Sequence, residues 1–197
     1  MSDQTTAARI LVFAGSTREA SFNKRLARLG ARRLDALGAQ ATFIDLRNYP
    51  MPLYQGDLEA EHGLPDNALA LRKLLAEHRG LLIASPEYNG FITPLMKNTI
   101  DWISRPHEGE SGLKLFAGKV AALLAASPGG LGGMRSLALM RQLLNNVGVT
   151  VLPDQLAVTK AGDAFDDDGG LRDESHQKKL DAICQRLVKT TRLFDRA

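Results

Sequence analysis

The chain has 197 residues, 44% of them hydrophobic and 24% charged, with a formal net charge of +3 and a pI near 9.1. That length suits one domain with a sizeable core, and the mild positive charge, spread along the chain, argues for a small anionic ligand and against a nucleic-acid platform. One cysteine excludes an internal disulfide framework and a multi-cysteine iron–sulfur site. Residues 1–8 are polar, the first apolar run is about five residues long, and no run approaches ~18 apolar residues. Neither a leader nor a membrane span is therefore expected, and a reducing, cytoplasmic setting is.

The polar tail 1–8 leads into a domain over 9–197. Ile10-Leu11-Val12-Phe13-Ala14 has the length and β-branched content of a buried strand. Phe22, Leu26, Leu29, Leu34 and Leu37 then recur at helical spacing, and Gly38 stands where a helix ends. Between strand and helix lies Gly15-Ser16-Thr17-Arg18, followed by Ser21-Phe22-Asn23. Unpaired N–H groups at a helix start carry partial positive charge and seat anions. Ser16, Thr17, Ser21 and Asn23 add short donors, and Arg18 adds a full charge. The same residues also serve an ordinary glycine turn with a serine N-cap. The dinucleotide fingerprint fails, because Thr17 and Ala20 replace two of its glycines. The NTPase phosphate loop fails at Gly118-Lys119, where Leu113 holds the first glycine position and Val120 follows the lysine. A hydroxyl-rich turn of this kind suits a terminal phosphate monoester such as that of FMN.

Residues 41–46 read as the second strand. The stretch 47–63, rich in Pro, Gly and Asp, reads as an irregular connection. It is either functional or a surface excursion whose Met51, Leu53 and Tyr54 pack down. A helix over 64–79 presents Leu71, Leu74 and Leu75. Residues 80–85 form a third strand, apolar on both faces as a central parallel strand requires, and run into Pro86-Glu87-Tyr88-Asn89-Gly90. Thr93 and Pro94 are suited to the N-cap and first position of a helix over 95–104.

Residues 120–126 form the fourth strand and end in Ser127-Pro128-Gly129-Gly130-Leu131-Gly132-Gly133. A helix over 137–147 closes at Gly148. The fifth strand spans 149–152, with a possible resumption at 156–159. Asp166-Asp167-Asp168-Gly169-Gly170 imitates part of a calcium loop, but Ala164 and Ser175 hold its first and last ligand positions. Asp173 caps a last helix striped with Leu180, Ile183, Cys184, Leu187 and Val188, so Cys184 reads as a packed core thiol. His62, His78, His107 and His176 have no metal spacing, read mostly as surface residues, and no metal site is expected.

Five strands alternating with five helices predict a parallel sheet covered on both faces. Ligands bind such sheets beyond the carboxyl ends of the strands. The loops at 15–23, 86–90 and 127–133 follow strands one, three and four, so all three gather at that edge.

With those loops in view, the chain resembles the NADPH-dependent FMN reductase family. The resemblance rests on Gly15-Ser16-x-Arg18-x-x-Ser21-Phe22-Asn23, on Ser85-Pro86-Glu87-Tyr88-Asn89, and on Pro94-Leu95-x-Lys97-Asn98-x-Ile100-Asp101-Trp102. It covers about residues 9–195. It implies a flavodoxin-like three-layer sandwich with sheet order 2-1-3-4-5, and hydride transfer from NADPH or NADH through FMN to a quinone-like or other oxidising acceptor. By that resemblance Ser16, Arg18, Ser21, Phe22 and Asn23 hold the phosphate. Pro86, Glu87, Tyr88 and Asn89 line the ring edge, chiefly through backbone groups, and Ser127, Gly129 and Gly130 flank its other side. Glu87 and Tyr88 also admit a plainer reading, as a loop salt bridge and a packed aromatic. The glycine-rich third loop departs from the family pattern and favours backbone contacts. No indispensable catalytic side chain is expected, because the cofactor carries the electrons. Asn98, Asp101 and Trp102 read as structural residues, and a homodimer or homotetramer is implied. For a 2′-phosphate, Arg18, Arg105 and Arg135 are the candidate cations. The competing readings are a flavodoxin-type electron carrier, usually acidic where this chain is basic, and a regulator that kept the fold and lost the ligand.

Overall fold

A computed structural model describes residues 7–195. Five strands, β1 (Arg9–Ala14), β2 (Gln40–Ile44), β3 (Gly80–Ala84), β4 (Val120–Ala126) and β5 (Thr150–Val158), form one sheet in the order β2-β1-β3-β4-β5. Every pairing is parallel. The flavodoxin-like order expected from the sequence is the one observed.

Helices α1 (Phe22–Ala36), α2 (Gly56–His62), α3 (Asp66–Glu77), α4 (Pro94–Ile103), α5 (Met134–Asn146) and α6 (Glu174–Phe194) connect and follow the strands. Alternation along the strands divides the core into two layers. Ile10, Val12, Leu82 and Leu124 face α1 and α6, where Leu26, Leu34, Ile183 and Leu187 meet them. Leu11, Phe13, Leu81 and Leu123 face the other way, onto Leu71, Met96, Ile100, Leu137 and Met140 of α3, α4 and α5. The α6 stripe is buried as its spacing requires. Cys184 lies within it, and burial pushes its thiol up to about 12.

Several boundaries differ from expectation for local physical reasons. Residues 47–63 are not wholly irregular. A 3-10 turn spans Leu46–Asn48, and α2 follows. Gln55 caps α2 by accepting from Leu58 N at 2.6 Å, and Asp57 and Glu59 in its first turn favour the helix dipole. Of the three residues expected to pack down from this stretch, Met51 packs against the core and Tyr54 lies edge-on to Trp102 at 5.1 Å, whereas Leu53 stays exposed. Strand β5 runs unbroken through Pro153, which its edge position permits. The register shifts opposite Ala121 and Leu123, and Arg141 donates to the carbonyls of Val151, Leu152 and Pro153 there.

His78, grouped above with surface histidines, is buried. Its Nδ1 lies 2.7 Å from Leu74 O and its Nε2 2.8 Å from Thr42 Oγ1. Two satisfied nitrogens make that burial tolerable. At the start of the chain, residues 1–6 of the expected tail lie outside the described residues. Ala8 is buried, and its carbonyl accepts from Gln40 N at 2.8 Å.

Candidate functional site

The three loops that follow β1, β3 and β4 meet at the carboxyl edge of the sheet. Short backbone hydrogen bonds carry the strand pairing into them. Gly15 N donates to Ala84 O at 2.9 Å, Ser85 N to Leu124 O at 3.0 Å, and Ser127 N to Val158 O at 3.0 Å. Thr93 ties α4 to the first loop. Its hydroxyl donates to Gly15 O at 3.0 Å and accepts from Met96 N at 3.2 Å as the N-cap. Gly15 is required by this closeness, since a Cβ there would stand 2.4 Å from Met96 Cγ and 2.9 Å from Ser85 Oγ.

Between the loops lies a cavity of about 200 Å³ lined by residues of all three. From the first come Ser16, Arg18, Ser21, Phe22 and Asn23; from the second, Pro86, Glu87 and Tyr88; from the third, Ser127 with Ala126 and Pro128. Asn89, Gly129 and Gly130 of the expected set lie outside its lining, on exposed turns beside it. Ala126 and Pro128 line it unexpectedly, and no residue-type signal singles them out.

The first loop is a donor cradle. Ser21 is the N-cap of α1, and its Oγ accepts from Lys24 N at a long 3.4 Å. Phe22 and Asn23 open the helix, where backbone N–H groups have no intrahelical acceptor. Ser16 and Ser21 are buried in the cavity lining, and Ser16 Oγ accepts from Arg18 N at 3.3 Å. Arg18 is exposed, folds back onto Ala20 O, and lies 5.3 Å from the centre of the Phe22 ring. That ring stacks on Phe165 at 6.4 Å, from the loop before α6. The position of Phe165 in sequence gave no hint of this contact.

Asn23 behaves differently from the other four. Its amide is engaged at both ends by the backbone of Ala126, so the side chain stitches α1 to β4 and the residue offers the cavity its backbone N–H. Lys24, fully buried beside it, pairs with Asp45 at 2.7 Å. Burial pushes the Asp45 carboxyl up, but the hydrogen bonds from Lys24 and Arg47 N, with the Lys24 and Arg28 charges, outweigh it and hold the group below its ordinary range.

In the second loop, Tyr88 and Phe91 exchange backbone hydrogen bonds at 3.0 and 2.9 Å around Asn89 and Gly90, both at positive φ. This is the tight Asn-Gly hairpin turn, and it holds Tyr88 half-exposed at the cavity edge. Glu87 pairs with Arg135, the salt bridge that the plainer reading allowed. The hydrogen bond from Arg135 holds its carboxyl below the ordinary range against the opposing effect of burial. In the third loop the constrained glycines are Gly132 and Gly133, both at positive φ and both against neighbouring atoms. A Cβ on Gly130 would meet nothing within 4 Å.

The donor set fits a phosphate monoester: two hydroxyls, a helix N-terminus and a guanidinium. The one carboxylate in the lining, Glu87, has its charge matched by Arg135. Among the candidate cations for a 2′-phosphate, Arg135 is thus already paired. Arg105 donates to Asp101 O at 3.1 Å and lies over Tyr54. Among the described residues no group of three or more His, Cys, Asp or Glu could hold a metal, and no helix is long and apolar enough to cross a membrane.

Asn98 and Trp102 pin the stretch after β2. Asn98 Oδ1 accepts from Tyr54 N at 2.7 Å, and Asn98 Nδ2 and Trp102 Nε1 both donate to Pro52 O, at 2.9 and 2.8 Å. Asp101 pairs with Lys97 one turn earlier on α4.

Comparison with known proteins agrees with this arrangement. The chain is 34% identical to an NAD(P)H:quinone oxidoreductase of Solanum tuberosum, over 88% of this chain and 87% of the relative. It is 33% identical to an NAD(P)H-dependent FMN reductase of Pseudomonas aeruginosa, over 91% and 92% of the two chains. Among solved structures, the flavoenzyme NAD(P)H:(acceptor) oxidoreductase FerB of Paracoccus denitrificans superposes with a TM-score of 0.80 at 27% identity, covering 94% of this chain and 97% of its own. An archaeal flavodoxin shares the fold, with a TM-score of 0.58 at 10% identity over 93% and 98%. The sequence model of one family, NADPH-dependent FMN reductase, matches residues 8–163, and the chain belongs to that family.

Proposed function

We propose that the protein is an NAD(P)H-dependent FMN oxidoreductase whose acceptor is a small, flat oxidant of the quinone class. The observation that carries this reading is the cradle at the start of α1, where Ser16, Ser21 and the free N–H groups of Phe22 and Asn23 line one cavity with the 86–88 and 126–128 loops. FMN held here would supply the two-electron chemistry between NAD(P)H and the acceptor.

The chain's residues then bind and orient. Ser16, Ser21 and the backbone of Phe22 and Asn23 would hold the phosphate, with Arg18, exposed beside them, adding its charge. Pro86, Glu87, Tyr88 and Asn89 border the ring on one side, with Ser127, Gly129 and Gly130 on the other. Backbone donors suffice there, so no side chain is assigned a proton transfer. The exposed Tyr88 supports an aromatic acceptor. Phe91, Leu131 and Met134 are also exposed near this edge, and we assign them to contact between two copies, as a homodimer or homotetramer in the cytoplasm. Light scattering on the eluting protein tests that assignment; a monomer at micromolar concentration overturns it.

The function is tested by an absorbance spectrum after equilibration with FMN and desalting, followed by NADPH and then NADH. Flavin bands that survive desalting and bleach with either nucleotide are expected. Retained flavin that neither nucleotide bleaches would sink the reductase reading and leave an electron carrier. Absence of retained flavin, with no NAD(P)H oxidation in excess FMN, would sink both.

A further inference from the structure

Glu87 and Arg135 sit 48 residues apart, one beside the cavity and one in the first turn of α5. Their contact is more than an ion pair. Arg135 Nε donates to Glu87 Oε1 at 2.7 Å, Nη2 donates to the same oxygen, and Arg135 N donates to Oε2 at 3.2 Å. The carboxylate therefore also caps α5, whose own N-cap is Gly133 with no side-chain acceptor. This distant cap explains why α5 starts at Met134, three residues before its apolar pattern begins.

The guanidinium has a second contact. It lies under the hairpin turn, with Cζ 3.7 Å from where a Cβ on Gly90 would stand. Glu87 Cβ in turn is 3.9 Å from the Cβ position of Gly133. One pair thus grips the 86–91 turn from its stem and its tip and fastens it to the end of the glycine-rich loop. The Glu87 side chain is 8% exposed and that of Arg135 is 61% exposed, so the acid is the anchored partner.

We propose that Glu87 and Arg135 form a clasp that positions the 86–91 turn as the ring-side wall of the cavity, setting flavin affinity through the wall without a bond to the flavin phosphate. This rests on the flavin reading above. Both are positioning residues. The clasp joins the second loop to α5, whereas Ser16 and Ser21 belong to the first loop, so its loss is expected to act on the ring-binding half of the site. FMN and riboflavin, which differ by the phosphate, distinguish the two halves.

The test uses the full chain freed of flavin, with Glu87→Gln, Arg135→Ala and Arg135→Lys variants. Flavin fluorescence gives the affinities for FMN and riboflavin, and amide hydrogen exchange follows peptides over 86–91 and 134–138. Loss of the clasp is expected to weaken both flavins by the same factor, about tenfold for a charge-assisted contact. Exchange should quicken in 86–91 as well as in 134–138. Arg135→Lys, which keeps one charged donor, should recover part of both effects. Unchanged flavin affinity with faster exchange only in 134–138 makes Glu87 a helix cap and overturns the proposal. Loss confined to FMN also overturns it, since the pair would then act on the phosphate. If the unmodified chain binds neither flavin, the functional reading fails. The exchange data then still decide the clasp: unchanged protection over 86–91 overturns it.

Discussion

Asn23, in the first turn of α1, exchanges two hydrogen bonds with the backbone of Ala126, the last residue of β4. Its Nδ2 donates to Ala126 O at 2.8 Å, and its Oδ1 accepts from Ala126 N at 2.9 Å. The contact joins residues 103 apart and closes the floor of the cavity. Asn23→Ala leaves a buried donor and a buried acceptor unpaired, at roughly 1–3 kcal/mol each. A loss of about 2–6 kcal/mol in urea unfolding is expected, with weaker FMN binding. Asn23→Asp keeps the acceptor, loses the donor and adds a negative charge beside the phosphate cradle. It should bind FMN more weakly than Asn23→Ala even where the two are equally stable. Equal affinities would show that the residue acts by folding alone.

Gly15 and Met96 form a tighter pair. The Cβ of Gly15→Ala would stand 2.4 Å from Met96 Cγ, and Met96 is fully buried. Overpacking of this kind costs about 1–3 kcal/mol. The methionine is flexible and Ser85 Oγ is the other neighbour, at 2.9 Å, so room can be made on one side. Gly15→Ala should be destabilised, and Met96→Ala, which removes the clashing Cγ, should cost less on top of it than it does in the unmodified chain. An additive double-mutant cycle would show that the strain lies in the backbone of the turn and not in this contact.

The parallel sheet and the meeting of the three loops were legible because buried parallel strands are long apolar runs and glycine marks their ends, whereas the sheet order came with the family resemblance. Nine of the twelve residues that the resemblance placed at the site line the cavity. What escaped was long-range. The amide of Asn23 is used by Ala126, the start of α5 is fixed by Glu87, and the ring of Phe22 rests on Phe165. No spacing rule links such positions, since each partner comes from another crossover. His78 escaped for a similar reason, because its acceptors Leu74 O and Thr42 Oγ1 are visible only once α3 lies on the sheet.

The glycines of the third loop are not equivalent. Gly133 has φ +89°, and a Cβ there would stand 2.9 Å from Ala125 Cβ, whereas Gly130 has open space around it. Gly133→Ala combines left-handed strain with a backbone-fixed clash and should cost at least ~1–3 kcal/mol. Gly130→Ala should change stability by less than about 0.5 kcal/mol. If Gly130 flanks bound FMN, the same change raises the dissociation constant without moving the melting temperature. An unchanged constant would remove Gly130 from the binding set, leaving Ser127 and Pro128 as that side of the site.

His78 gives the fold a pH dependence on the acid side of neutrality. Burial lowers its pKa from the ordinary 6.5, and the Arg9 and Lys119 charges add to this against the raising effects of Leu74 O and Glu77. A carbonyl can only accept, so Nδ1–H donates to Leu74 O and Nε2 accepts from the Thr42 hydroxyl, which is the neutral ring. Below pH 6.5 the unfolded chain binds a proton that the folded chain resists. The stability contributed by His78 is therefore complete above 6.5 and is lost as pH falls from there through its lower folded value. The slope from one such group is at most about 1.4 kcal/mol per pH unit. Asp45 and Glu87, both held below their ordinary values, stay ionised above pH 5 and do not contribute there. Urea midpoints measured from pH 7.5 to 5 should fall for the unmodified chain. For His78→Gln they should start lower and stay flatter. Parallel curves for the two proteins would show that another group carries the acid sensitivity.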